Sequence, residues 1–363
     1  AQIDGCGPIQ SFWLVALPLA RPALAITALL GFLAGWGDFI FASVLVPAPD
    51  SMKLVVPGLY SMANSQSTPW GYFAAGGLMI ITPTIIVLIA ALGYPVAWQI
   101  ITSFKEFGLR QQFGVPADWV GLANYVEIVS DPALWAIVLR SLVFCLVVSF
   151  ATVLIGGALA GLMNSVHKAA RLTLQVALLL AWAMPAVASM TVWIWLVDWR
   201  RGLLNWALVR LGVDAQGHNW LADPTSFLII AAIIVTWMSV PFVTLSIYAG
   251  LTQVSPEVLE AAKIDGASGI QRLRHIIVPL IAPVLSIVLL LQFIWNLRVF
   301  TQVKILQDAG GVANETHLLG TYIYQLGTGK GDFGSASAVS ILMLLLTIAI
   351  SWRYVRNLMK EES

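Results

Sequence analysis

The stretch LEAAKIDGASGIQRLRHIIVPLIAP, Leu259 to Pro283, sets a charged helix–glycine–helix between two apolar runs. Ser255-Pro256-Glu257 reads as a helix start. Serine is a good cap, proline suits the first turn, and Glu257 and Glu260 favour the positive helix end. Leu259, Ala262 and Lys263 follow at helical spacing, and Ala261 and Ala262 form a face with almost no side chain that another surface can approach closely. Gly266 ends this helix. A second short helix is predicted through Gln271 and Arg274, and Pro279 marks the start of the next apolar run. Taken alone, the stretch also fits an ordinary amphipathic loop at a membrane surface.

The same text occurs at the start of the chain, AQIDGCGPIQSFWLVALPLARP, Ala1 to Pro22. Aligned with Ala262–Pro283 it gives nine identities over 22 positions: Ala1, Ile3, Asp4, Gly5, Ile9, Gln10, Pro18, Leu19 and Pro22. Each copy runs into an apolar span with a matching phenylalanine, Phe32 and Phe293. After a loop, each ends in a span that opens with an aromatic and small residues, YFAAGG from Tyr72 and FGSASA from Phe333. A shared ancestor explains this better than chance, and the repeat weighs against the ordinary-loop reading.

Composition fixes the solvent. The 363 residues are 59% hydrophobic and 10% charged, with mean hydropathy +0.86, whereas soluble domains carry about 25% charge and about 45–50% apolar residues. The chain is therefore read as an all-α integral membrane protein. Apolar runs cover Pro22–Val46, Tyr72 to about Phe104, Ala136–Met163, Leu172–Val197, Ser226–Gly250, Leu280–Val303 and Phe333–Trp352. Each is long enough to cross a hydrocarbon core of about 30 Å. Without water to satisfy backbone groups these runs must be helices, and the alternation of barrel strands is missing. The formal net charge is +1 with no basic patch, which excludes nucleic acid as a partner. Cys6 and Cys145 lie in no CxxC and read as small apolar filler. No secretory signal peptide is visible, and residue 1 reads as falling inside an element already under way.

Short basic segments mark the cytoplasmic side. NSVHKAAR (Asn164–Arg171) and the tail RYVRNLMKEES fit this, which leaves 105–135, 198–225 and 304–332 outside and Thr252–Pro279 inside. The segment 198–225 carries three arginines, so the charge bias is weak overall. The two copies of the opening stretch should share a side, yet five spans separate them, an odd number. Either Tyr72–Phe104 is one long tilted helix with unusual topology, or the chain joins two natural pieces between Met79 and Tyr94. The second reading is preferred, with a division at residues 1–82 and 83–363.

The sequence EAAKIDGASGIQRLRHIIVPLIAP resembles the EAA loop of permease subunits of binding-protein-dependent ABC importers. WVGLANYVEIVSDPALW (Trp119–Trp135) resembles the segment before the second span of carbohydrate-importer permeases of the maltose type. RVFTQVKILQDAGG, LLGTYIYQ and DFGSASAVS (within Arg298–Ser340) resemble their last outside loop and final span. The resemblance covers 83–363 as one permease of about six spans with its EAA loop at 252–279. Residues 1–82, including SMANSQSTPWGYFAAGGLM, resemble the C-terminal third of the partner permease, with an EAA loop and about two spans. The first copy departs from the pattern in lacking the leading Glu-Ala and the N-terminal spanning bundle.

This resemblance implies a polytopic helix bundle of the type I importer permease kind, multi-pass in the plasma membrane. It implies a second permease subunit, an ATP-binding subunit dimer, an extracytoplasmic sugar-binding protein and the lipid bilayer as partners. The loop would sit in a cleft of the ATPase and transmit its closure to the spans. Glu260 would reach a basic residue there, Ala261 and Ala262 would permit close packing, and Asp265 and Gly266 would shape the bend, with Asp4 and Gly5 their counterparts. Pro279, with Pro283, would mark where force enters the membrane. The chain would bind no cofactor and catalyse no reaction, ATP and Mg belonging to the partner ATPase.

Within Leu280–Val303, LQFIWNLRVF is polar for a membrane helix. Gln292 and Asn296 share a face with Trp295 close by, and intramembrane polar groups usually face a bundle interior or cavity. Paired amides plus an aromatic ring suit a sugar. Helix–helix hydrogen bonding is the competing reading. Arg298 is placed to snorkel, Trp193 and Trp237 are pocket walls or packing, and Asp38 is costly in a span unless paired. Gly31–Gly35 and Gly157–Gly161 read as helix-packing pairs. GTGKGDFG is no phosphate loop, since Tyr324 and Gly331 occupy its required Gly and Ser/Thr positions. The four histidines have no metal spacing. A secondary transporter would need intramembrane acidic sites in broken helices, for which only Asp38 offers itself, and a membrane enzyme would need a catalytic cluster, which is not visible.

Overall fold

The structure, a computed structural model, describes residues 70–361. The expectations for the first repeat copy, including Asp4, Gly5, Cys6, Gly31, Gly35 and Asp38, lie outside the described residues. The chain forms two compact units, Ala1–Trp98 and Gln99–Ser363.

Helices Trp70–Leu88 and Tyr94–Ser103 are joined through a π turn at Ile89–Gly93. Gly77–Ser103, 27 residues, has the length and apolarity of one crossing, about 40 Å at 1.5 Å per residue. The run Tyr72–Phe104 therefore holds one span.

In the second unit Asp131 caps a 34-residue helix, Pro132–Ser165, by accepting from Ala133 N, with proline at its first turn. Asp223 does the same for the 28-residue helix Pro224–Leu251, accepting from Ser226 N. These two helices form the scaffold. They pack tightly at Gly156, where a Cβ would fall 2.7 Å from Val243 Cγ1 and 3.2 Å from Thr244 N. The sequence pointed instead to Gly157 and Gly161. A Cβ on Gly157 would lie at an ordinary 3.9 Å from Ile247, and one on Gly161 would meet nothing within 4 Å. The small-residue logic holds, but one position away.

Two expected spans need correction. Leu172–Val197 is not one rod: helices Lys168–Ala183 and Ala186–Leu196 meet at 97°. Pro185 lies at the break, where its ring and missing N–H stop the first helix. Leu280–Val303 also ends early. Helix Val278–Leu297 stops at Arg298, and a separate helix, Thr301–Asp308, packs Val303 and Leu306 into the core. The last span is helical through Phe333–Glu361. Among the described residues five helices are long and apolar enough to cross a membrane, or six if the bent pair counts as one.

The core has three parts. One gathers Phe144, Met190, Phe227, Ile234 and Val303, a second Ile137, Leu297, Leu319 and Val339, and a third Ala160, Val243, Ile247, Ile281 and Val288. The third lies nearest the 252–279 segment, with Val254 and Ile277 packed against it. Buried hydroxyls satisfy themselves along their own helices: Ser141 donates to Ile137 O, Thr152 to Val148 O and Thr244 to Val240 O.

Candidate coupling and substrate-path sites

In the opening stretch the first helix is Pro256–Ile264. Ser255 holds the cap position but its side chain makes no capping bond, so the expected serine cap is not made there. The helix end is tightly closed. Gly266 has φ +79° and donates to Lys263 O at 3.1 Å, while Ala267 N donates to Ala262 O at 2.9 Å. This pair of bonds is the Schellman closure, which requires the left-handed conformation that glycine adopts without strain. Asp265 holds the C-cap position of this helix and Gly266 follows it at the turn. Ser268 is the residue that caps. Its Oγ accepts from Gln271 N at 3.3 Å and its N–H donates to Gln271 Oε1 at 2.8 Å.

From Gly269 the chain does not break before the next span. Helix Gly269–Arg272 passes through a π turn, Leu273–Ile277, into Val278–Leu297. Proline cannot donate, and its ring strikes the carbonyl four residues back. For Pro279 that carbonyl belongs to His275, inside the π turn, where the widened backbone makes room. Pro95 has the same relation to the π turn at Ile89–Gly93. Pro279 thus lies within a continuous helical run.

The two alanines part company: Ala261 is exposed, whereas Ala262 is buried by its own chain. Glu260 is exposed and pairs with no described residue. The same segment carries bare apolar side chains on both sides of the bend, Ile264 at 87% and Ile270 at 78% exposure, with Val258 and Leu273 also exposed. Exposed aliphatics on a polar segment are the mark of an interaction surface.

The polar positions in Val278–Leu297 separate likewise. Val288, Gln292 and Asn296 form one buried stripe at four-residue spacing. Trp295 does not join them. It is half exposed and packs on Phe242 with ring centroids 5.1 Å apart. Asn296 Nδ2 donates to Ser149 Oγ at 3.0 Å, an interhelical bond to the Pro132 helix. Gln292 is fully buried, and neither its Oε1 nor its Nε2 meets a partner. Leaving both ends of a buried amide unpaired costs about 1–3 kcal/mol for each group. Trp193 and Trp237 pair edge to face at 5.8 Å, with Trp193 packed on the first core cluster. Arg298 is exposed.

Sequence reasoning missed Ser149, whose single hydroxyl in an apolar run gives little signal. It also missed a polar link between distant parts: Arg140 donates to His317 O at 3.0 Å, and Ser141 Oγ accepts from Leu319 N at 2.9 Å. His317 is buried. Burial first, then the charges of Arg140 and Lys330, hold its pKa below the usual histidine value.

Comparison with known proteins agrees with this architecture. The chain is 34% identical over 284 residues to the trehalose/maltose transport system permease protein MalF of Thermococcus litoralis, covering 77% of this chain and 92% of that protein. It is 30% identical over 285 residues to the diacetylchitobiose uptake system permease protein DasB of Streptomyces coelicolor, covering 78% and 87%. A crystal structure of a bacterial alginate ABC transporter, in complex with its alginate pentasaccharide-bound periplasmic protein, superposes with TM-score 0.65 at 21% identity, over 78% of this chain and 94% of the matched chain. That likeness shows a shared type I importer permease fold. The profile of binding-protein-dependent transport system inner membrane components matches residues 1–95 and again 153–357. Five or six helices among the described residues that are long and apolar enough to cross a membrane, a glycine-closed helical loop running into one of them, and these matches identify the chain as a member of the binding-protein-dependent transport system inner membrane component family.

Proposed function

We propose that this chain forms part of the translocation path of an ATP-driven importer for a carbohydrate, a di- or oligosaccharide, and couples it to a separate ATPase through Leu259–Pro283. The observation that carries the coupling is continuity. The helical run from Gly269 to Leu297 joins the exposed patch around Glu260, Ala261 and Ile264 to the buried stripe of Gln292 and Asn296. At 1.5 Å per residue the ends of this run, Gly269 and Leu297, are about 40 Å apart, with the patch just beyond the bend at Asp265–Ser268. A cleft in the ATPase that grips Glu260, Ala261 and Ile264 therefore moves a rod whose far end carries the amides. Gln292 is the group we assign to the path, because its amide has hydrogen-bonding capacity to offer a hydroxyl-rich solute. Asn296 positions the helix against Ser149, and Ala262, Asp265 and Gly266 hold the bend.

The carbohydrate assignment draws on the relatives, whose names specify trehalose, maltose and diacetylchitobiose. The partners we assign are a second permease, an ATP-binding dimer carrying ATP and Mg, and an extracytoplasmic sugar-binding protein. The chain itself is a transport component of the inner membrane rather than a catalyst. We further read residues 1–82 as part of a second permease joined to 83–363, which accounts for the repeated Ile-Asp-Gly text and for the family profile matching in two segments.

The test is uptake of a labelled sugar panel by the complete complex in proteoliposomes. ATP-dependent accumulation of a di- or oligosaccharide is expected. Uptake driven by an ion gradient without ATP would overturn the reading. Replacing Gln292 by Leu should raise the KM for the transported sugar while leaving basal ATP hydrolysis intact.

A further inference from the structure

The segment between Leu196 and Pro224 carries a basic, aromatic recess that the transport reading does not use. It is about 330 Å³ in volume and is lined by Trp199, Arg200, Arg201, Trp206 and Arg210 among others. All three guanidinium groups are exposed, and among the described residues none is in an ion pair. Of the carboxylates in this segment, Asp214 is exposed and forms no ion pair among the described residues, while the other two are turned to backbone. Asp198 Oδ1 accepts from the backbone N–H groups of Arg200 and Arg201 at 3.0 and 2.7 Å, and Asp223 accepts from Ser226 N at 2.8 Å. Arg200 and Arg210 instead lie over the rings of Trp199 and Trp206, at 4.3 and 5.3 Å.

The recess is held open by a fixed frame. Asn205 is buried. Its Nδ2 donates to Trp199 O at 3.3 Å and to His218 O at 2.9 Å, and its Oδ1 accepts from Trp220 Nε1 at 2.5 Å. Gly202 permits the tight turn, since a Cβ there would fall 2.3 Å from Asp198 O. Beside the arginines, Leu203, Trp206, Val209 and Leu211 are exposed, Leu211 at 80%. Unpaired arginines next to exposed tryptophan and aliphatic side chains match the chemistry of a bilayer interface, where rings sit at headgroup depth and guanidinium groups take phosphate.

Position completes the argument. The Pro224–Leu251 helix is 28 residues long, so its ends lie about 42 Å apart. The coupling segment follows one end and this recess precedes the other. If the coupling segment is cytoplasmic, as proposed above, the recess faces the outer leaflet, where positive charge is ordinarily sparse and needs a local reason.

We propose that Arg200, Arg201 and Arg210, framed by Trp199 and Trp206, bind the phosphate of an anionic phospholipid headgroup in the outer leaflet, with the exposed aliphatic residues seated among acyl chains. The test uses the complete transporter in mixed phosphatidylcholine and phosphatidylglycerol, with bound lipid counted by native mass spectrometry. Changing all three residues, R200Q/R201Q/R210Q, should lower retained phosphatidylglycerol at least fivefold and leave phosphatidylcholine unchanged. Equal retention overturns the proposal. So does normal lipid retention with lost capture of the sugar-binding protein, which would assign the patch to a protein surface. Should the triple variant fail to assemble, hydrogen exchange on the unaltered chain decides. In nanodiscs with phosphatidylglycerol, amides of residues 200–213 should exchange several-fold more slowly than in phosphatidylcholine alone, and equal rates overturn the proposal. Labelling of Gln216→Cys by an impermeant maleimide reads the side independently. Reaction from the cytoplasmic face would refute the orientation, whereas lipid binding is scored by the other two measurements.

Discussion

Two short helix-bearing segments flank the Pro224 helix, and they are held in opposite ways. In residues 252–279 the bend itself is closed by backbone, the Gly266 and Ala267 bonds shutting one helix; only past the bend does a side-chain box, Ser268–Gln271, open the next helix, which continues into a span. Residues 198–223 are held by side chains, above all Asn205, which ties three points of the loop together, with Asp198 closing the turn at Arg200 and Arg201. A backbone-closed bend transmits force because it has no rotamers to lose. A side-chain staple shapes a surface that need only stay in place.

The contrast is broken most severely by Gly266→Pro. Proline cannot take φ +79° and removes the N–H donated to Lys263. Membrane insertion should be normal while sugar-stimulated ATP hydrolysis and uptake are abolished; unchanged uptake would end the coupling account. Asn205→Ala should instead destabilise the opposite segment locally by about 1–3 kcal/mol, seen as faster hydrogen exchange across 199–220, with stimulated ATP hydrolysis kept. Ser268→Ala sharpens the comparison at lower amplitude. Losing its cap should cost about 0.5–2 kcal/mol and reduce coupling efficiency partially, measured as sugar transported per ATP hydrolysed.

The smallest effect concerns pH. His317 stays neutral in the folded chain below the usual histidine pKa, owing to burial and then to Arg140 and Lys330. As pH falls through about 6.5 the unfolded chain takes up a proton that the folded chain does not. Stability should therefore decline below that point until the depressed folded pKa is reached. His317→Gln should flatten the dependence of Tm between pH 7.5 and 5.5, and an identical slope would remove His317 from the account.

Much of this was legible before any coordinates. Long apolar runs, the repeated Ile-Asp-Gly text and the glycine bend are local signals, and local signals survive folding. The departures come from rotation and tertiary choice. Residues 295 and 296 lie about 100° apart around a helix, so the sequence does not say which of Trp295 and Asn296 follows Gln292 inward; packing against Ser149 decides. Gly156, Gly157 and Gly161 look alike in sequence, and only the crossing with Val243 selects the first. Pro185 was a visible break signal, hidden by the strong apolarity around it. In the sequence the arginines at 200, 201 and 210 only weaken the charge bias, because nothing there tells that Asp198 turns its carboxylate to backbone.

The π turn at Leu273–Ile277 has one more consequence. A π turn amounts to a supernumerary residue in the winding, which shifts the angular phase of everything beyond it by about 100°. Excising a single amino acid from 273–277 would rewind the shaft to regular pitch and swivel the Glu260 patch relative to Gln292 with both ends chemically untouched. The machine would keep its handle and its jaws and lose only their timing.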